Sequence, residues 1–413
     1  MVLSRPFARV PRQGSMTDRD PAESMDDRPS RPCQKGMAMF ATQFCAGRRI
    51  AVAAIFFFAL ALNSIGAPPA HAVEDRSVTA FDQVPIDFDG ERPAAYETEH
   101  GLRRLHGQIV ERTVRLPDPP RHLRDARRVT ATIIIEPQLI EGDRGVRPGD
   151  PWTRLGSINL VLDEVTPDQR ARFGHDERME SPPATIELVR FITPFGGPAS
   201  YTADLTSLAP MLHGDVRLQA FIDTYANPGW SLSLEFSYER EGVGFRRPAF
   251  AAPLFFIRDV KAERPTVRSR VRIPEGLDRP RLRIITSGHA TDGRGGDEFV
   301  TRTHTLRING EVIARWRPWS ENGGQLRELN PTSGRFVIGD REVWSSDLDR
   351  SGWHPGLKVE PTMIPLPELT PGEHEIELSV RDIRPPDPDD PDAGYGYWRI
   401  SAIVVADEPW PQQ

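Results

Sequence analysis

The chain is expected to be all-β and built of antiparallel sandwiches, and three observations support this. Nearly every readable segment after residue 100 alternates apolar and polar residues with period two, as strands do when one sheet face is buried. Strand-like and helix-like patterns do not alternate, which disfavours doubly wound and α/β-barrel folds. The 413 residues include 40 prolines and 33 glycines, a composition suited to short strands joined by tight turns. Many short strands with turn signals between them indicate sandwiches or jelly rolls.

The N-terminus reads as an address. In "RRIAVAAIFFFALALNSIGAPPAHA", Arg48 and Arg49 precede an apolar run that ends at Ala70-His71-Ala72. This is the pattern of a secretory signal peptide over residues 48–72, cleaved after Ala72. A membrane anchor is the rival reading, and Pro68, Pro69 and the small-residue site favour cleavage. Residues 1–47 are rich in Pro, Arg and Asp and contain Met16, Met25, Met37 and Met39. They are expected to be a disordered extension, or to precede a true start near Met37 or Met39. The expected location is secreted or periplasmic, with no stable membrane anchor after cleavage.

The strands follow. "SINLVL" alternates, and "VRLQAFID" places Val216, Leu218, Ala220 and Ile222 inside. "WSLSLEFSY" puts Trp230, Leu232, Leu234, Phe236 and Tyr238 on one face, with serines and Glu235 on the other. Only "TPDQRARFG" reads as a short helix. The alternation lapses over "EREGVGFRRPAFAAPLFFIRDVKAERPTVRSR", where Pro248, Pro253 and Pro265 intervene. A boundary is therefore expected within 241–266, between an N-terminal domain at 78–245 and a C-terminal one at 262–408. In "HTLRINGEVIARW", Asn309-Gly310 separates two apolar runs and predicts a two-residue hairpin turn. "EIELSV" and "WRISAIVV" complete the series.

Composition narrows the function. A net charge of −7 leaves no basic footprint for nucleic acid. Both cysteines, Cys33 and Cys45, precede the cleavage site, so the mature chain is expected to fold by core burial alone, without disulfides. Cys45 also precedes the apolar run, a poor position for a lipoprotein anchor. G-x-S-x-G, H-E-x-x-H, H-x-H and phosphate-loop patterns are absent, so no metal or cofactor declares itself. His289 and His304 are read as structural.

What remains is a set of polar and aromatic clusters at strand ends. "GDPWTRLGSINLVL" carries Asp150, Trp152, Thr153 and Arg154. Asp223 and Tyr225 sit where a strand exits into "ANPGW". Glu298 lies in "TSGHATDGRGGDEFVTRTHTLRING", and Arg350 and Trp353 in "DRSGWHPG". Taken singly, a loop carboxylate is usually solvated and a Trp beside Gly usually packs a corner.

Together, "IELVRFITPFGG", the Gly-rich motif around Glu298 and "DRSGWHPG" resemble the peptide-N-glycosidase F family, secreted bacterial amidases that release N-linked glycans. The similarity runs from "TAFDQVPIDF" to "WRISAIVVAD". It implies two eight-stranded antiparallel jelly-roll β-sandwich domains packed side by side, with a substrate groove between them. Copper-dependent peptidylglycine hydroxylating monooxygenases share that fold, but their histidine pairs and methionine ligand have no counterpart here. No cofactor is implied, and the implied partner is an N-linked glycoprotein or glycopeptide.

Carried across by this resemblance, Glu298 matches the family's C-domain glutamate. Asp223 stands for another glutamate, and Tyr225 for a groove aromatic. Arg154, Arg350 and Trp353 match polar and aromatic groove residues. The family's principal catalytic aspartate lies in a Trp-Asp-Arg triplet, which here reads Trp152-Thr153-Arg154. Threonine has no useful basicity near neutral pH, and general acid–base catalysis is worth roughly 10²–10⁴-fold. Asp150, or Asp143 on the same loop, is the possible substitute. Gly149, Gly296, Val300 and His354 stand near positions where the family has loop-bracing cystines.

Two readings follow. In one, the protein is an amidase in which Glu298 and Asp223 supply acid–base chemistry, with Asp150 or a Thr153-held water replacing the missing carboxylate. In the other, it is a non-catalytic glycan-binding module that stacks sugars on Trp152, Tyr225 and Trp353 and bonds hydroxyls through Arg154 and Arg350. A structural envelope protein with a degenerate groove is the weaker third reading.

Overall fold

A computed structural model describes residues 76–90, 96–97, 101–105, 107–118, 127–143, 145–162, 185–240, 245–290, 296–338, 340–367, 369–390 and 393–409. The leader, residues 1–47 and the predicted helix "TPDQRARFG" lie outside the described residues. Among the described residues, no helix is long and apolar enough to cross a membrane.

The fold is two β-sandwiches with antiparallel pairing. In the first, one sheet runs in the order Arg76–Ile86, Trp230–Arg240, Arg127–Pro137, Ala199–Asp204. Its partner runs Tyr96–Glu97, Arg103–Leu105, Ile109–Leu116, Gly214–Ile222, Leu155–Val161, Thr185–Ile192. In the second, Pro248–Val260, Gly396–Asp407, Asp278–Ala290 and Thr362–Pro365 form one sheet. Thr266–Ile273, Gly372–Val380, His304–Ile308 and Glu311–Trp316 form the other. The second sandwich has the eight strands the resemblance implies, whereas the first divides its strands four and six.

Period-two residues behave as their spacing requires. Trp230, Leu232, Leu234 and Phe236 have no exposure and Tyr238 is buried with them in the first core. Each such side chain contributes about 1.5–3 kcal/mol relative to exposure. The turn at Asn309-Gly310 takes φ of 51° and 88° and pairs Ile308 with Glu311, the geometry of a two-residue hairpin whose central residues both need positive φ.

Two sequence expectations change. The stretch within 241–266 read as a lapse in patterning, yet Pro248–Val260 is a 13-residue strand. It sits at a sheet edge, where proline's missing donor is tolerated. Register shifts after Pro248, Pro253 and Ile257 break the alternation that would have revealed it. The strand Gly214–Ile222 buries Gln219 and Phe221 as well as its core face. Phe221 joins Leu155, Ile192, Ile285, Trp353 and Val359 in a small cluster drawn from both sandwiches.

The contact between sandwiches is also polar. Arg190 on Thr185–Ile192 donates to Glu187 at 2.9 and 2.6 Å, to Ser287 Oγ at 2.8 Å and to the carbonyl of Arg399 at 2.8 Å. Ser401 donates to Glu187 at 2.6 Å. Burial alone would raise the Glu187 pKa, but Arg190 and the Ser401 hydroxyl overcome it and hold the carboxyl below its usual range.

Candidate functional site

On the first sandwich, the turn Gly149–Arg154 leads into Leu155–Val161. A Cβ on Gly149 would lie 2.2 Å from the carbonyl oxygen of Pro228, so the chain approaches too closely there for any side chain. The next residue, Asp150, has no exposure. Its Oδ2 accepts from Arg154 Nε at 2.7 Å and Thr224 Oγ1 at 2.6 Å. Its Oδ1 accepts from Arg154 Nη2 at 3.1 Å and the Trp152 N–H at 3.2 Å.

Arg154 is thereby fixed with its guanidinium carbon 5.3 Å from the centre of the Tyr225 ring. Its main chain exchanges two hydrogen bonds with Thr193, in the "ITPFGG" exit of the neighbouring strand: the Arg154 N–H donates to Oγ1 and the Thr193 N–H to the Arg154 carbonyl, each at 2.8 Å. From the second sandwich, Thr332 Oγ1 donates to the Pro151 carbonyl at 2.6 Å. Trp152 and Tyr225 stand out from this cage, 60% and 62% exposed. Thr153, half-buried between Trp152 and Arg154 in sequence, brings no carboxylate.

Asp223 follows Gly214–Ile222, its N–H bonded to the Leu155 carbonyl. Its charge, more than burial, pushes the Tyr225 phenol pKa up, and its carboxylate also accepts a hydrogen bond from that phenol. Asp143 lies in the turn of the hairpin formed by Leu139–Gly142 and Gly145–Pro148. At roughly 3.4 Å per strand residue, that tip is about 15 Å from Asp150.

On the second sandwich, Glu298 occupies a single turn, Asp297–Phe299. Asp297 is fully buried and anchors that turn, accepting from Arg302 at 2.9 and 2.7 Å and from Trp398 Nε1 at 2.8 Å. Glu298 accepts from Arg350 Nε at 3.0 Å. Arg350 and Trp353, expected as direct groove contacts, are instead buried, at 1% and 6% exposure. The Arg350 guanidinium carbon lies 4.9 Å from both the Phe299 and Trp353 ring centres, and its remaining nitrogens bond the Leu348 carbonyl and Ser345 Oγ. Burial lowers its pKa, partly offset by Glu298. Trp353 donates Nε1 to the Gly288 carbonyl at 2.8 Å. Arg350 thus bonds Glu298 directly, and Trp353 packs against Arg350 and His289.

Tyr397, which the sequence reading did not single out, links the two sides. Burial pushes its phenol up to about 12, and the charges of Asp223 and Glu298 add to that rise. Tyr397 therefore stays protonated through neutral pH and remains a donor. His289 stacks between Trp353 and Tyr397, with ring centres at 5.6 and 5.3 Å. Burial, then Arg399 and Arg190, keep it neutral. Its neighbour Ser287 Oγ lies 2.7 Å from Nε2. Tyr397 was visible only as one of several aromatics in "GYGYW", with nothing local to mark it. No group of three or more His, Cys, Asp or Glu side chains among the described residues is placed to hold a metal.

These polar and aromatic side chains are drawn from both β-sandwiches. The N-terminal model of peptide-N-glycosidase F matches residues 77–238, and the C-terminal model matches 258–405. The chain belongs to the peptide-N-glycosidase F family. A curated relative, peptide-N(4)-(N-acetyl-β-D-glucosaminyl)asparagine amidase F of Elizabethkingia miricola, is 25% identical over 196 residues, covering 43% of this chain and 52% of its own. The chain thus spans about half the length of that relative in the match. Among solved structures, PNGF-II aligns with a TM-score of 0.64 at 23% identity, over 81% of this chain and 66% of its own. A crystal structure of a peptide-N(4)-(N-acetyl-β-D-glucosaminyl)asparagine amidase aligns with a TM-score of 0.59 at 18% identity, over 82% and 98%. These structural likenesses establish the double-sandwich fold of this family member.

Proposed function

We propose that this protein recognises the link between an N-glycan and its asparagine, and that its groove binds glycopeptide without efficient hydrolysis. The observation that carries this reading is the state of the carboxylates around Thr153. Amide hydrolysis needs a base to activate water and an acid for the departing nitrogen. Position 153 has no ionisable group. Asp150 is sealed from solvent with both oxygens hydrogen-bonded, so it anchors Arg154 instead of serving as the substitute base.

The recognition elements persist. Trp152 and Tyr225 are exposed aromatic faces suited to sugar rings, and Arg154 is held beside them. Asp223, Glu298 and the protonated Tyr397 offer acceptors and a donor for hydroxyl and acetamido groups. The chain is proposed to do this as a secreted or periplasmic protein.

Slow amidase turnover is the second reading, favoured by the coupling of both Asp223 and Glu298 to Tyr397.

The test uses the mature chain and its Thr153→Asp variant against a denatured N-glycoprotein, with mass analysis for Asn-to-Asp conversion, and measures binding of an N-glycopeptide. Binding by both proteins, with glycan release gained only by Thr153→Asp by about 10²-fold or more, is the expected result. Rapid release by the wild-type chain establishes the amidase reading instead. Absence of glycopeptide binding by either protein rejects both.

A further inference from the structure

A second cleft lies away from the groove, and its chemistry is cationic. Arg281 and Arg283 occupy alternate positions near the start of strand Asp278–Ala290, so they share one sheet face, and Arg279 precedes them at an irregularity in the ladder with φ of 48°. With Arg246 they line a cavity of about 510 Å³, closed on the first-sandwich side by Asp204 and Thr206. Glu298 follows the far end of the same strand, about 20 Å from Arg283 along it.

The carboxylates nearby do not balance these cations. Asp407 is shared, accepting from Arg279 at 2.5 Å and Arg281 at 2.8 Å. Asp278 pairs with Arg246. Asp204 accepts the Thr206 N–H at 2.8 Å. Arg283 is 3% exposed and donates from Nη2 to the Leu188 carbonyl at 2.7 Å, but makes no ion pair among the described residues. Its nearest acids, Glu187, Asp204 and Glu360, act only at longer range, while burial lowers its pKa to about 10. Arg281 Nε is buried with no hydrogen-bond partner. A buried cation without a counter-ion is strongly unfavourable, and an orphaned buried N–H is rare.

We propose that this cleft binds a tetrahedral oxyanion, phosphate or sulfate, with Arg283 and Arg281 as its principal donors. Guanidinium forks match such oxygens two at a time. The cavity exceeds the size of the anion alone, so a monoester on a sugar fits the same donors.

The test is calorimetric titration and thermal unfolding of the mature protein, at constant ionic strength. The probes are inorganic phosphate, inorganic sulfate, glucose 6-phosphate and glucose 6-sulfate, with chloride as the control. Saturable binding and a rise in Tm that chloride does not produce are expected. Arg283→Met is expected to weaken binding at least tenfold and remove the anion-dependent rise in Tm. It should also raise Tm without ligand, because an uncompensated charge is gone, which a merely structural arginine would not do. If Arg283→Met fails to fold, Arg246→Gln at the cleft mouth carries the test, with a several-fold loss expected. Tighter binding of the esters marks a sugar-borne group, and equal binding marks the free anion. No saturable binding, or an equal shift in Arg283→Met, overturns the site.

Discussion

Asp150 holds Arg154 from below, accepting Nε at 2.7 Å and Nη2 at 3.1 Å, while Arg154 faces the Tyr225 ring at 5.3 Å. The carboxylate that a linear reading offers as a replacement base is thus engaged in holding Arg154. Asp150→Asn keeps the shape but loses the charge opposite the guanidinium. Its expected cost is about 1–3 kcal/mol of folding stability, with weaker glycopeptide binding as Arg154 loses its anchor. Denaturant unfolding and a binding titration read the two effects. If Asp150→Asn instead abolished a measurable wild-type amidase while leaving stability unchanged, the supporting role would be wrong.

Trp152 should behave differently. It is 60% exposed, so Trp152→Ala is expected to change stability by no more than about 0.5 kcal/mol. Loss of its face should lower glycopeptide affinity about tenfold, a stacking contribution of ~1.5 kcal/mol. An unchanged affinity, measured by calorimetry, would falsify the stacking role.

The buried pair between the sandwiches is a stability determinant. Arg190→Met leaves Glu187 buried without its cation, and breaking such a pair costs about 3–5 kcal/mol. Arg190→Met combined with Glu187→Gln should recover part of that loss, since the stranded charge is removed. Chemical denaturation of the single and double variants measures this. A single variant within 1 kcal/mol of wild type (about the uncertainty of such fits) would show that neighbouring groups already neutralise Glu187.

Acid should destabilise the fold from pH 6.5 downward. His304, unexposed, is lowered to about 4 by burial, and His289 is also held well below its usual value. Between about pH 4 and 6.5 the unfolded chain binds protons at these positions and the folded chain does not. Their contribution is complete above the unfolded value and is lost as pH falls, by about 3 kcal/mol for His304 alone. Glu187, whose folded pKa is also depressed, adds a loss of the same sign below about pH 4.3. Unfolding titrations from pH 7.5 to 4.5 should show this slope, flattened in His304→Gln. A flat wild-type profile contradicts it.

The fold class is legible in local residue spacing. Period-two residues such as Trp230 to Tyr238 need only local alternation to declare a buried face, and Asn309-Gly310 declares its turn by the φ values it tolerates. The family was legible because "GGDEFV", "DRSGWHPG" and "ITPFGG" are local strings. The 13-residue strand at Pro248–Val260 escaped because an edge accepts proline and its register shifts erase alternation. Which polar side chains are open depends on packing between distant segments. Arg350 and Trp353 proved buried, and Asp150 sealed, because neighbours from distant segments such as Thr224 and Gly288 close over them. Tyr397 owes its relevance to Asp223 and Glu298, which lie 174 and 99 residues away in sequence. Exposure and electrostatic coupling are properties of packing across the sheets, and no local spacing encodes them.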